Sequence, residues 1–500
     1  MSTVSYVSNA FTKQRNDMLP CIDLMGGTES MRRAGTRYLD KGAQSQAEFD
    51  DRLKRTVLLN VYRRTLNFLR GQVFQNPVSI GSDNDALTDE QTVQFKQWAE
   101  DVDLRGKNIT TWSGGVFRQG LQDGVTFVVV DYSAVQTRTN DAGVTEYLAA
   151  DGVWRPKTKA ADQSEGWRPY LVRVDAGQVL DMWGSSDNGR PMLDSFRYVE
   201  TVMVQDDEWS QKPIQQIRVF RRENGRVVWE IYRNEVDNSG SYALVDSGVL
   251  SIDEIPVAMF MPGDQRTDYT AEPALIDLAN LNIRHWQVSS NHAEMMEFVQ
   301  RPVWFASGVE MKDDNGTPIA FGAGRMISCS DSTASLQSVG VDGGSYASSR
   351  EELRALEDSM AMYGLQLLQP KSGSITATES MRDTEENNST LRNWAADFQD
   401  FLENVMRLVG KWWGMDDGVS VSVNTDFARA VDIAMLLNFQ RAGILSRDAV
   451  LLAARDSGLL PDDFDVEADA ERMARDTMGN GTDTGVKSLA RFINNSEQKI

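Results

Sequence analysis

Residues 346–414 limit the architectures open to this chain more than any other stretch, because they read as a helix, a short loop and a second, very long helix. Ser348 and Ser349 each have a Glu three residues on (Glu351, Glu352), so either can open the first helix with a capping box. Its apolar stripe, Leu353, Leu356, Met360, Tyr363 and Leu367, advances in steps of three and four, a heptad seam suited to packing on another helix. Pro370 stops it, and Lys371-Ser372-Gly373-Ser374 forms a turn. Thr376-Ala377-Thr378-Glu379 then starts the second helix with another capping box. From Thr378 to Trp413 that helix would span about 50 Å at roughly 1.5 Å per residue. Leu391, Ala395, Phe398, Leu402, Val405, Val409 and Trp412 lie along one stripe, whereas Ser380 to Thr390 has almost no apolar residue. Acids (Glu379, Asp383, Glu385, Glu386) stand early and bases (Arg407, Lys411) late, as the helix dipole prefers, and Gly414 ends the run. A helical hairpin in an ordinary core accounts for the pattern on its own.

The flanking regions switch period twice. Residues 1–45 carry few signals. A helix is expected over 47–70, with Leu53, Val57, Val61, Leu66 and Leu69 inward. A short helix carrying Phe95, Trp98 and Val102 starts at a Thr88 to Gln91 capping box, and another over about 108–123 closes at Gly124. A β-rich module over about 125–262 follows. It opens with the Val-dense strand Val125–Tyr132 and crosses a polar excursion at 133–166. Its clearest hairpin turns at Asn224-Gly225 between Ile214–Phe220 and Arg226–Tyr232, since Asn-Gly suits a type I′ turn. A helix then runs from Pro273 to about Val299. Its face includes polar Asn282 and Ser289, which points to subunit contacts. Short strands and Gly turns fill 300–345. After the long helix come a strand at 419–424, a helix at 427–441, a short helix capped by Ser446, an acidic run at 462–471 read as solvated surface, and a polar end expected to be loose. The fold class is therefore α+β with several modules, as the 500-residue length suggests.

Chemistry-bearing patterns are few. His285 and His292, seven apart on one helix, have no ligand-spaced partner, and structural or interfacial roles fit them better than a metal site. There is no Walker loop and no dinucleotide Gly fingerprint, and the acidic run lacks the central Gly of a calcium loop. Two cysteines, Cys21 and Cys329, make no disulfide framework and fit a reducing compartment. No apolar signal core and no run of 18 apolar residues appears, so neither an export signal nor a membrane span is expected. A net charge of −22 argues against tight DNA binding, though not against a wall past which DNA slides. No catalytic, cofactor or metal residue is expected, and the chain is read as no enzyme.

Several stretches resemble a family of tailed-bacteriophage portal proteins catalogued by sequence as a domain of unknown function. They are Ala274-Leu275-Ile276-Asp277-Leu278-Ala279-Asn280-Leu281-Asn282-Ile283-Arg284-His285, then Gln300-Arg301-Pro302-Val303-Trp304-Phe305-Ala306-Ser307-Gly308, then Leu356 to Leu368. The most specific is Thr376-Ala377-Thr378-Glu379 with Ser389-Thr390-Leu391 downstream; Gly443-Ile444-Leu445-Ser446 and Leu459-Leu460-Pro461 also fit. The similarity runs over about residues 45 to 470 and departs from the family at 133–166.

The resemblance implies a ring of about twelve copies at one capsid vertex. The ring would be assembled in the host cytoplasm and carried in the virion, without a membrane. Double-stranded DNA would pass through its channel without sequence readout during packaging and ejection. Partners implied are the terminase large subunit, a head–tail adaptor, and the major capsid and scaffold proteins. On this chain the resemblance implies an N-terminal wing at 1–272, stem helices at 273–299 and 346–368, and a β-containing clip at 300–345. A tunnel loop at 369–377, a long wing helix with its return at 378–440 and a small helical crown from 441 onward complete it. Lys371, Ser372, Gly373, Ser374 and Thr376 would then face DNA, and Leu391, Phe398, Leu402 and Val405 would form a seam between copies. The competing reading is another ring-forming virion assembly or adaptor protein without catalysis. A nuclease or motor subunit would need clustered carboxylates or a phosphate loop, and neither pattern is present.

Overall fold

A computed structural model describes residues 3–82, 86–133, 137–140, 144–149, 151–187, 189–234, 242–300, 303–307, 333, 335–339, 343–365, 377–415, 418–425, 440–441, 446–456 and 468–469. The chain divides into two compact units, Met1–Thr425 and Asp426–Ile500. The class is α+β, as the sequence implies.

In the first unit the chain opens with α1 (Asn9–Met25) and α2 (Gly27–Ala34). These helices occupy the stretch that reads as signal-poor. α1 contains Pro20 yet buries Phe11, Met18, Cys21 and Leu24, so tertiary packing overrides the breaker. The single helix expected over 47–70 is two, α3 (Gln46–Arg55) and α4 (Val61–Val73). Thr56 adopts extended backbone, and the Asn60 side chain accepts from the Arg63 backbone N–H to cap α4. Val57, on the break, is exposed rather than inward, and Leu59 beside it is exposed as well. β1 (Ser79–Ser82) and α5 (Asp89–Trp98) follow, with both arms of the Thr88–Gln91 capping box formed. α6 (Ile109–Asp123) ends at Gly124 in the left-handed region.

β2 (Thr126–Tyr132) begins the β module. The polar excursion holds a small sheet of β3 (Thr137–Thr139), β4 (Thr145–Leu148) and β5 (Trp154–Pro156), then α7 (Lys159–Glu165). β6 (Pro169–Asp175) pairs with β2. Four antiparallel neighbours come next: β7 (Val179–Asp187), β8 (Arg190–Gln205), β9 (Gln211–Glu223) and β10 (Arg226–Asn234). β11 (Tyr242–Val249) completes a five-stranded sheet of order β11-β10-β9-β8-β7. The β9–β10 turn is the expected one, with positive φ at both Asn224 and Gly225 (52° and 76°). β12 (Val257–Phe260) joins β2 and β6 in a three-stranded sheet, and β13 (Asp264–Thr267) pairs with β14 (Thr270–Glu272).

The C-terminal part of the unit holds α8 (Ile276–Gln300), β15 (Val303–Ser307), β16 (Ser335–Val339) and α9 (Gly343–Met360), which passes into a π turn at Ala361–Leu365. α9 starts five residues before Ser348; Ser348 and Ser349 lie inside the helix instead of capping it. α10 (Ala377–Trp412) matches the expected long helix, and β17 (Val419–Ser422) returns to pair with β1, Ile80 opposite Val421. The second unit contains α11 (Arg447–Asp456), whose first turn donates from the Ala449 N–H to the capping Ser446 hydroxyl. The expected helix at 427–441, most of the acidic run and the chain end lie outside the described residues.

The core of the first unit centres on β2. Thr126 to Val130 are fully buried, so both sheet faces are covered. Phe127 and Val129 join a cluster with Phe11 and Met18 of α1 and with Val179, Phe196, Tyr198, Phe220 and Val227 of the larger sheet. α10 packs on the three-stranded sheet. No helix among the described residues is long and apolar enough to cross a membrane.

Candidate functional site

α8 and α9 form an antiparallel hairpin whose register is set by polar pairs. Arg284 Nη2 meets Glu352 Oε1 at 2.6 Å, His285 Nε2 lies 3.4 Å from Glu357 Oε1, and His292 Nδ1 lies 3.2 Å from Ser349 Oγ. The His292 ring also stacks on Tyr346, with centroids 5.0 Å apart. This contact explains why α9 begins a turn earlier than its capping residues suggest. Partly exposed pairs of this kind are worth about 0–1 kcal/mol each, so they fix alignment more than stability. Each histidine turns one ring nitrogen to the hairpin, the other nitrogen of His285 being buried without a partner, and among the described residues no group of three or more His, Cys, Asp or Glu could hold a metal ion. Past the helix ends the same two segments continue as the β15–β16 ribbon, running from Val303 opposite Val339 to Ser307 opposite Ser335. The hairpin is thus one two-stranded projection, helical near the core and β beyond it.

The root of the projection is locked into the core by buried polar residues on α8. Asn282 is fully buried. Its Oδ1 accepts from the Tyr62 N–H at 3.0 Å, and its Nδ2 donates to the Leu59 carbonyl at 2.9 Å. It therefore satisfies one of the orphan N–H groups at the start of α4. Subunit contacts are expected at this polar residue, but the structure spends Asn282 inside the chain. The arginine of α3, Arg52, is also buried; its Nε donates to Ser290 Oγ at 2.9 Å, and Thr56 Oγ1 lies 3.0 Å from the same hydroxyl. Gln287 Nε2 adds a bond to the Tyr38 carbonyl at 2.7 Å.

α9 is exposed or half-buried along most of its length, and its far end holds one buried side chain. Met360 is fully buried, whereas Met362 and Tyr363 are 65% and 60% exposed. The loop expected to face DNA follows, and Lys371, Ser372, Gly373, Ser374 and Thr376 lie outside the described residues. α10 resumes the chain at Ala377.

The four residues expected as a seam between copies, Leu391, Phe398, Leu402 and Val405, are buried in the chain's own core. Phe398 meets Phe74, Phe117, Phe260 and Phe401 with ring centroids 5.6, 5.4, 4.8 and 5.3 Å away. Gly120 makes room for this cluster, since a Cβ there would fall 2.4 Å from Phe260 Cδ1. The heptad spacing was thus answered by α6 and β12 of the same chain, partners that spacing cannot name. At the C-terminal end of α10, Trp412 stacks on Tyr132 and donates to the Val130 carbonyl at 3.0 Å. Arg407 and Lys411 pair with Glu254. Burial works against ionisation of Glu254, but hydrogen bonds from Arg407 and Lys411 outweigh it and hold the carboxyl below its ordinary range.

Residues 274–413, which span this hairpin and the long helix, match the model of a family described as a domain of unknown function, DUF4055. No curated protein matches the chain. Among solved structures, a chain from the neck of an empty gene transfer agent (GTA) particle is 13% identical, with 79% of this chain and 90% of that one covered and a TM-score of 0.42. A chain from a native GTA virion is 11% identical at a TM-score of 0.38, with 80% and 90% covered. One from the native neck computed with C12 symmetry is 11% identical, also at 0.38, with 79% and 89% covered.

Proposed function

We propose that this chain is a portal-type subunit: copies form a ring, DNA passes through its centre, and the protein performs no catalysis of its own. The observation that carries the reading is the order of elements: α8, the paired strands β15 and β16, α9 packed back on α8, and then α10. The portal resemblance implies a stem, a clip and a long wing helix in that order, and the family-model match covers the same residues. Two further features support it. The end of α9 that leads to the loop exposes Met362 and Tyr363, apolar surface that a neighbouring copy would cover. The charge of −22 suits a channel wall that repels phosphate and lets DNA move with little friction.

The first test is the native mass of the purified protein, with negative-stain images of the same sample. Rings with an axial hole are expected. A chain that stays monomeric after its scaffold partner is added overturns the ring, as hydrolysis of ATP or cutting of DNA by the purified protein would overturn the non-catalytic role. For the loop, Lys371→Glu and Gly373→Pro are expected to leave rings intact and to reduce DNA packaging or retention. Normal packaging by both variants would remove the loop from the DNA path.

A further inference from the structure

β8 and β9 are longer than the strands beside them. β7 pairs with β8 only as far as Val179 opposite Tyr198, and β10 pairs with β9 only as far as Arg233 opposite Gln216. Beyond those points, among the described residues, β8 and β9 pair with each other alone, from Thr201 opposite Gln215 to Gln205 opposite Gln211. This two-stranded arm extends roughly 17 Å at about 3.3 Å per residue. A lone ribbon is marginal in water, yet this one ends in a tightly bonded tip. Asp207 Oδ1 accepts from the N–H groups of Trp209 and Ser210, both at 2.8 Å. Gln205 Nε2 donates to the Asp207 carbonyl at 2.8 Å, and the Asp206 N–H to the Ser210 carbonyl at 3.0 Å. The tip holds Trp209 at 90% exposure, with Met203 at 57% on the arm behind it. An exposed indole on this ordered turn, beside Asp207, Glu208 and an Asp206 that Lys212 meets at 2.8 Å, is an anchor for a pocket with an apolar wall and a basic rim.

Such a pocket exists elsewhere on the same unit. A cavity of about 500 Å³ lies between α4 and α6, lined by Asn67, Arg70, Gly71, Phe74, Thr110 and Thr111. Arg70 lies against Gly114, where a Cβ would come within 2.8 Å of its Nε, and Arg173 lies against Gly115, at 3.7 Å from Nη1. Arg118 stands on the same helix, close enough that the charges of Arg70 and Arg173 both disfavour its own, and its Nε is buried without a hydrogen-bond partner; of the three, Arg70 lines the cavity and the other two stand beside it on the surface of α6 and β6. Asp175, which Arg173 Nε meets at 2.8 Å, is the carboxylate among them. Three guanidiniums beside one carboxylate, on a chain of net charge −22, form a site that draws acids.

We propose that the arm of one copy docks into this pocket on the next copy, Trp209 against Phe74 and the tip acids against Arg70, Arg118 and Arg173. Knob and pocket are different surfaces of one chain, so the contact is heterologous and repeats around a ring. The inference rests on the ring reading above.

The test uses full-length Trp209→Ala and Arg70→Glu, with native mass as the readout and circular dichroism as the folding control. Trp209 is so exposed that its truncation leaves the fold untouched. Loss of a tryptophan anchor is expected to weaken association at least about 30-fold. Each variant alone is then expected to run as a monomer. An equimolar mixture is expected to form dimers, because the first variant keeps a good pocket and the second a good arm. Rings from both variants overturn the contact while leaving the ring reading intact. Monomeric variants whose mixture stays monomeric overturn the pairing of this arm with this pocket and point to a different partner for the tip. A wild-type chain that forms no ring with its scaffold present removes the ring reading and this contact with it.

Discussion

Asp123, the last residue of α6, is 1% exposed and accepts hydrogen bonds from Gln119 Nε2 and Gln122 Nε2, both at 2.9 Å. Burial pushes its carboxyl up to about 7; Asp175 raises it further, while the two glutamines and Arg173 oppose the shift. An aspartate in the unfolded chain titrates near ~3.9. Between these values the folded chain holds a proton that the unfolded chain has released. The contribution to stability is therefore greatest below about pH 4 and is lost as pH rises towards 7. Asp123→Asn removes this dependence. Its melting temperature relative to wild type is expected to rise steadily from about pH 4 to about pH 7 and to level off above that. A difference that stays flat with pH would mean that Asp123 remains ionised in the fold. Nothing in the sequence marks this residue, because its burial and the nearby Asp175 and Arg173 come from a different strand, and the adjacent Gln122 and the Gln119 one turn back are ordinary helix-surface residues by type.

At the scale of the element, legibility follows the distance to the cause. The limits of α10 and the Asn224-Gly225 hairpin are readable because their signals are local: acids and bases in dipole order, an apolar stripe, and two residues that accept positive φ. α1 is not readable, because a proline interrupts its stripe and only its partners in the β2 sheet stabilise it. The break between α3 and α4 is equally hidden, since the groups that complete it sit on α8, more than two hundred residues away. Asn282 is the signal that was visible and differently interpreted: a polar residue on an apolar face can serve a partner chain or an orphan helix terminus. The two roles predict different outcomes for Asn282→Ala. As an internal clamp, its removal leaves the buried Tyr62 N–H unpaired, at about 1–3 kcal/mol, while the Leu59 carbonyl keeps the Val61 N–H at 3.1 Å. Chemical denaturation of a monomeric form is therefore expected to show a loss of roughly 1–3 kcal/mol with an unchanged denaturant slope. A variant of wild-type stability that assembles poorly would return Asn282 to the interface.

For the whole molecule, the first unit is closed by its last elements. α10 lies on the three-stranded sheet, and β17 pairs with β1, so partners of residues near the start of the fold arrive only after Ala377. Leu391, Phe398, Phe401, Leu402, Val405, Leu408 and Val409 are all buried there. A large apolar side chain is worth about 1.5–3 kcal/mol when buried. These residues alone therefore match the ~5–15 kcal/mol by which a domain is stable. A chain of residues 1–376 would also uncover Phe117 and Phe260, which Phe398 covers at 5.4 and 4.8 Å. Residues 1–425 are expected to unfold in one cooperative transition. Residues 1–376 are expected to keep helical far-ultraviolet dichroism, lose the near-ultraviolet signal and bind a hydrophobic dye, as a compact chain without fixed packing does. The long helix would then be the closing element of the fold as well as a structural member of the proposed ring, and a change that loosens it would cost folding before assembly. Cooperative unfolding of residues 1–376 would break that link and leave α10 free to serve assembly alone.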